Sequence, residues 1–142
     1  MRTHPWRALV VLAVVFVAYA ELTPFNFTLA PAALATKTAQ IEWMPLLSFY
    51  GADPQNVLYA LFDLWQKGLR AGFLGFVVAA AAGTGGRYAL VVGLLMGTLL
   101  EGAQVLMLSH LPSGTDVLVF GVGAYGGGVV YTRYRTCRRR SQ

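Results

Sequence analysis

Seven polar side chains in an otherwise apolar sequence have the types and spacing to do chemistry: Asp63, Lys67, Arg70, Glu101, Gln104, His110 and Asp116. Asp63 and Lys67 stand four residues apart, in the order that favours an ion pair along a helix. At about 100° per residue, Asn56, Asp63, Lys67 and Arg70 fall within about 60° of one another and form one stripe. That stripe is either a solvated interfacial face or one turned into a bundle, where its cations would hold an anionic headgroup or phosphate. Glu101 interrupts the apolar run Tyr88 to Leu111 just past its middle. A charge near the centre of a membrane span costs roughly 2.5–3.5 kcal/mol to insert, and less when shallower. Such a carboxylate therefore turns toward neighbouring helices. It is either paired with Lys67 or Arg70 as a structural group or it contacts a ligand. Gln104 lies one turn on and Gly97 one turn back, so the same face offers an amide and a close-packing position.

Asp116 opens the last apolar run, where a carboxylate suits the positive end of the helix dipole, and capping alone would account for it. His110 stands in the short connection before it, either as a plain interfacial residue or as a partner in catalysis. If the chain is an enzyme, Glu101 or Asp116 is the general base and His110 its partner, acting on a lipid-linked substrate. If it is a binding protein, the reading favoured here, the ligand contacts are Asp63, Lys67, Arg70, Glu101, Gln104 and Asp116. A third class is a structural partner of another envelope membrane protein.

The elements that must position these groups follow from composition. The chain has 142 residues, enough for one domain. It is 56% hydrophobic and 12% charged, where a soluble domain carries roughly 25% charged residues. A soluble fold of this size has no interior large enough for that apolar surface, whereas lipid covers it. The expected fold is all-α: a polytopic membrane bundle of four transmembrane helices. The spans are expected near residues 6–22, 57–83, 88–110 and 116–132. Asp53-Pro54 supplies an N-cap followed by proline at the first helical position. A helix from there to Gly83 is roughly 45 Å long, enough to cross and project its first turns outward. Residues 38–52, with Ile41, Trp43, Met44, Leu46, Leu47, Phe49 and Tyr50 around Pro45, read as an outer interfacial segment or a lid on the bundle.

Arginine placement sets the orientation. Arg2, Arg7, Arg87, Arg133, Arg135, Arg138, Arg139 and Arg140 fall on one side of a four-span layout. That side is cytoplasmic, with both termini, and residues 133–142 form a basic tail against anionic headgroups. No aromatic–basic interleaving or reader module accompanies the +5 charge, which argues against nucleic acid. The first span is short. With Arg2 and Arg7 before it and Ala18-Tyr19-Ala20 before Glu21, it also fits a cleaved signal peptide. Either way Glu21 lies outside. Gly68/Gly72, Gly93/Gly97 and Gly123/Gly127 have the four-residue spacing that lets helices approach closely in lipid, and docking of a second copy or another membrane protein is an alternative use. The lone Cys137 implies no disulfide framework. No metal-ligand spacing, nucleotide loop or nucleophile elbow appears, and no cofactor is expected.

In three segments the sequence resembles the VanZ-like family of bacterial membrane proteins. Leu22-Thr23-Pro24-Phe25-Asn26-Phe27 is similar to the Pro-Phe signature after that family's first helix. Leu100-Glu101-Gly102-Ala103-Gln104 is similar to its Glu-x-x-Gln helix, and Asp116 with Gly123, Ala124 and Gly127 to its Asp-led final helix. The likeness runs from about Leu9 to Val130. The chain departs at Phe120, where the family usually has Asn, at His110, where it often has Arg, and at Phe73-Leu74-Gly75, where Pro-Leu-Gly is common. The resemblance implies a cell-envelope role in the cytoplasmic membrane, linked through the family's name to glycopeptide resistance, without implying a reaction. The partners expected with it are membrane lipids or a lipid-linked cell-wall precursor.

Overall fold

The computed structural model describes residues 5–39, 53–110 and 113–140, and over these the chain is all-helical. Helix α1 (Pro5–Leu22) starts on a proline, whose missing N–H costs nothing in a first turn. It buries only Ala13, Val17 and Glu21, one stripe at four-residue spacing. Its other faces leave Val11, Leu12, Val15 and Phe16 exposed. Helix α2 (Pro31–Ala39), which the sequence reading did not foresee, also starts on proline. The expected interfacial segment begins at its last turn, and residues 40–52 lie outside the described residues.

Helix α3 (Pro54–Ala82) begins as expected, with Asp53 extended at the N-cap and Pro54 at the first position, although the Asp53 side chain makes no capping bond. It stops at Gly83, whose φ of 66° is left-handed and whose N–H bonds Ala79 O. Helix α4 (Gly86–Val105) ends short of residue 110. The backbone just past its end pairs instead with the segment after α1: Thr28 N donates to Leu106 O at 2.7 Å and Leu108 N to Asn26 O at 3.0 Å. Phe27 and Met107 thus form an isolated antiparallel bridge. The preceding turn holds a cis Thr23–Pro24 bond and Phe25 at φ 58°. Helix α5 (Gly114–Arg140) carries the basic tail as continuous helix instead of ending near residue 132.

Small residues set the packing. A Cβ added to Gly127 would collide with Gly72 O, and one on Gly123 would come within 2.7 Å of Gly68 O. Rising numbers meet rising numbers, so α3 and α5 run parallel. On the other side of α5, a Cβ on Gly93 would sit 2.5 Å from Ala124 Cβ, and one on Gly128 2.8 Å from Gly86 Cα. There the numbering runs in opposite senses, so α4 and α5 are antiparallel. Helix α5 is therefore the centre, gripped on two faces by glycine-lined neighbours, as small residues allow where backbones must touch. Helix α1 packs outside, with Val17 against Ala71, Leu100 and Phe120 in one buried cluster and Ala13 against Leu74 and Val78 in another.

Two helices, Pro5–Leu22 and Gly86–Val105, are long and apolar enough to cross a membrane. The up-and-down order gathers the arginines at one end. Arg7 lies beside Ala81, Ala82 and Tyr88, and Arg135 Nη1 donates to Gly83 O at 3.2 Å.

Candidate functional site

At the opposite end, each long helix finishes its buried stripe with polar groups. On α1, Glu21 continues Ala13 and Val17. On α4, Gln104 follows Gly93, Gly97 and Leu100. On α5, Asp116 precedes Phe120, Ala124 and Gly128 at four-residue steps. On α3, Lys67 and Arg70 precede Ala71 and Leu74. Helical periodicity thus points all these groups inward.

They meet. Lys67 Nζ donates to Asp116 Oδ2 at 2.5 Å and pairs with Asp63 Oδ2 at 2.7 Å. Arg70 Nη1 pairs with Glu21 Oε1, and its Nη2 donates to Gln66 Oε1 at 3.1 Å. Gln104 Nε2 donates to the Glu21 carbonyl at 3.1 Å. Glu101 Oε2 accepts the Ser113 N–H at 2.8 Å, and its carboxyl neighbours Asp116. Glu21, Gln104 and Asp116 are buried, and the Lys67 side chain is 12% exposed. Asp63 is the open edge of the network, with its side chain 54% exposed.

The charge balance is distinctive. Four carboxylates (Glu21, Asp63, Glu101 and Asp116) surround two cations (Lys67 and Arg70), and these four are most of the six Asp and Glu in the chain. Depth agrees too. Counting at about 1.5 Å per residue from Arg7, Gly83, Gly86 and Arg133, the groups Glu21, Lys67, Glu101 and Asp116 all lie about 21–25 Å away.

Several sequence alternatives are decided here. The Asp63–Lys67 pair forms, but Lys67 also reaches across to α5, so the stripe faces into the bundle from Lys67 onward, while Asp63 and Asn56 are exposed. Glu101 is not held by an ion pair with Lys67 or Arg70. It fixes the start of α5 through the Ser113 N–H. Capping of α5 falls to Ser113, whose Oγ accepts the Thr115 N–H at 3.2 Å, which leaves the Asp116 carboxylate for Lys67.

His110 sits at the rim. Among the described residues no hydrogen bond joins it to Glu101 or Asp116. Its Nδ1 lies 2.9 Å from Ser109 Oγ, and that hydroxyl donates to Asn26 Oδ1 at 3.0 Å. Burial first, then the charges of Lys67 and Lys37, lower the His110 pKa below its usual value, so the ring is neutral at pH 7.

Sequence reasoning missed Glu21, Gln66, Ser113 and Lys37 as members of this region. Lys37, 8% exposed, donates to His110 O at 2.6 Å and ties α2 to the α4–α5 connection. A signal for Glu21 was available: Arg70 has Gln66 and Leu74 at its four-residue neighbours, so its countercharge had to come from another helix. Among the described residues no group of three or more His, Cys, Asp or Glu is placed to hold a metal ion. Against these geometric findings, no protein family, curated protein or solved structure compared with the chain matches it.

Proposed function

We propose that the chain is a four-span protein of the bacterial cytoplasmic membrane that holds a polar lipid or lipid-linked cell-wall precursor at the outer leaflet. The carrying observation is the buried polar network, built by four helices at one depth and at the end away from the arginines. Large apolar side chains exposed on all four long helices, among them Phe16, Leu69, Leu99 and Val122, support lipid as the surrounding medium. Helices α3 and α5 are less apolar for reasons that fit spanning. Lys67 and Arg70 spend their charge inside the bundle, and the glycines of α5 are its packing surface. The arginine-rich end then faces the cytoplasm. About 21–25 Å from that end, the network lies under the outer edge of a hydrocarbon layer about 30 Å thick.

Lys67 offers the binding chemistry. Asp116 holds it from within, whereas Asp63 is its solvent-facing partner. An anionic headgroup entering from outside takes the place of Asp63 on the ammonium without unseating Asp116. Glu101, with one oxygen on Ser113, accepts hydroxyl or amide donors from the same ligand. Glu21 joins Arg70 through its carboxylate and Gln104 through its carbonyl, which ties the neighbouring helices together beside Lys67. The VanZ-like resemblance is consistent with this envelope role and extends the proposal to handling of glycopeptide stress.

The test is native mass spectrometry of the purified chain with its co-purified lipids, paired with lipidomics of a deletion strain. Lys67→Met and Glu101→Leu should shed the retained lipid while keeping the helical spectrum. Wild-type retention in both variants and an unchanged lipid pool in the deletion strain would overturn the proposal.

A further inference from the structure

The opposite end of the bundle holds a groove of about 350 Å³ between α1, α3 and α4. That volume falls at the lower end of small-molecule sites, ~300–1,000 Å³. Its lining is graded. Arg7 and Tyr88 stand on the first turns of α1 and α4, at the rim, and Val10 and Val92 lie one turn deeper, opposite Val78. A charged and hydroxylated rim above an apolar floor is the profile of an amphiphile, not of a polar metabolite.

The charge at this end has one sign. Arg7, Arg87 and Arg133 gather here, and Arg135 is tied to the α3–α4 turn at Gly83. The described carboxylates are elsewhere: Glu21, Asp63, Glu101 and Asp116 in the network, and Asp53 at the far end of α3. We infer that this groove is a second lipid site, holding one acyl chain of an anionic phospholipid of the inner leaflet, with its phosphate on Arg7 and the Tyr88 hydroxyl. The inference rests on the membrane reading above but not on what the outer network binds. Charge complementarity selects the anionic lipid: Arg7 is the arginine that lines the groove, and one arginine at such a site favours an anionic headgroup by about fivefold.

The experiment uses the full chain in mild detergent, offered phosphatidylglycerol or phosphatidylcholine of identical acyl composition and read by native mass spectrometry. Phosphatidylglycerol should be retained about fivefold more than phosphatidylcholine. Arg7→Gln should bring the two near parity, and Ala81→Phe, which fills the groove, should lower retention of both. If Ala81→Phe fails to fold, Val10→Phe fills the same space from α1. Equal retention of the two lipids by the wild type, or wild-type retention in Arg7→Gln and the filled variant, would overturn the inference. Extraction of the wild-type chain by alkaline carbonate would instead defeat the membrane reading itself.

Discussion

The pair between Arg70 and Glu21 is the joint that fastens α1 to the rest of the bundle, and its worth can be measured. Glu21 is 4% exposed and the Arg70 side chain 18%, so removing either partner strands a charge among apolar groups. Such a loss costs about 3–5 kcal/mol. The lower end applies here, because Gln66 shares Arg70 and some solvent reaches it. Arg70→Met and Glu21→Leu should therefore each cost about 3 kcal/mol, or about 6 kcal/mol if they acted independently. In the double variant no charge is stranded, and Gln104 keeps its bond because it uses the Glu21 carbonyl. Apolar replacement of a whole buried pair is often neutral, so the double variant should lie within about 2 kcal/mol of wild type. The coupling is then about 4 kcal/mol, far above the ~0.5 kcal/mol scatter of independent sites. Unfolding in mixed micelles of mild detergent and SDS, followed by tryptophan fluorescence, gives the four free energies. Additive single losses would refute the joint, as would an Arg70→Met variant as stable as wild type.

Two other predictions are simpler. Gly127→Ala places a methyl against Gly72 O and should cost about 1–3 kcal/mol by forcing α3 and α5 apart, whereas Gly102 and Gly126 face open space. Gly102→Ala and Gly126→Ala should be neutral or gain up to about 1 kcal/mol of helix propensity in the same unfolding assay. His110 titrates lower in the folded chain than its usual 6.5, because of burial and then the charges of Lys67 and Lys37. The unfolded state therefore takes up that proton first, and stability should fall as pH drops below 6.5, levelling once the folded ring is protonated. His110→Gln should flatten that part of a stability profile measured between about pH 5 and 7.5; an unchanged slope would contradict the burial.

How much of this was legible beforehand depends on whether the signal was local. Asp53-Pro54 and Gly83 announce the ends of α3 within a few residues, and both ends are found there. The glycine pairs could be read as contact faces because a missing side chain has the same consequence on any helix, and Gly68 and Gly72 do meet Gly123 and Gly127. Glu101 and Gln104 were readable as inward-facing from the cost of turning a carboxylate or amide to lipid. Their partners were not, because Ser113 N–H and the Glu21 carbonyl are backbone groups that no residue type advertises. The early end of α4 was hidden for the same reason, since backbone pairing with Asn26 and Thr28 sets it. Helix α2 is short and weakly patterned, and its main tie is one lysine to a distant carbonyl. The aromatic stretch from Ile41 to Tyr50 lies outside the described residues.

On the proposed topology the polar network opens on the side of the membrane opposite the arginines, and the chain carries its own probe. Cys137 is the only cysteine and is exposed on the arginine-bearing end of α5, while exposed Ser109 marks the rim of the network. A membrane-impermeant maleimide added to spheroplasts should leave Cys137 unlabelled and should label Ser109→Cys in a Cys137→Ser background. Labelling of Cys137 from outside, or equal access to both positions from one side, would overturn that topology.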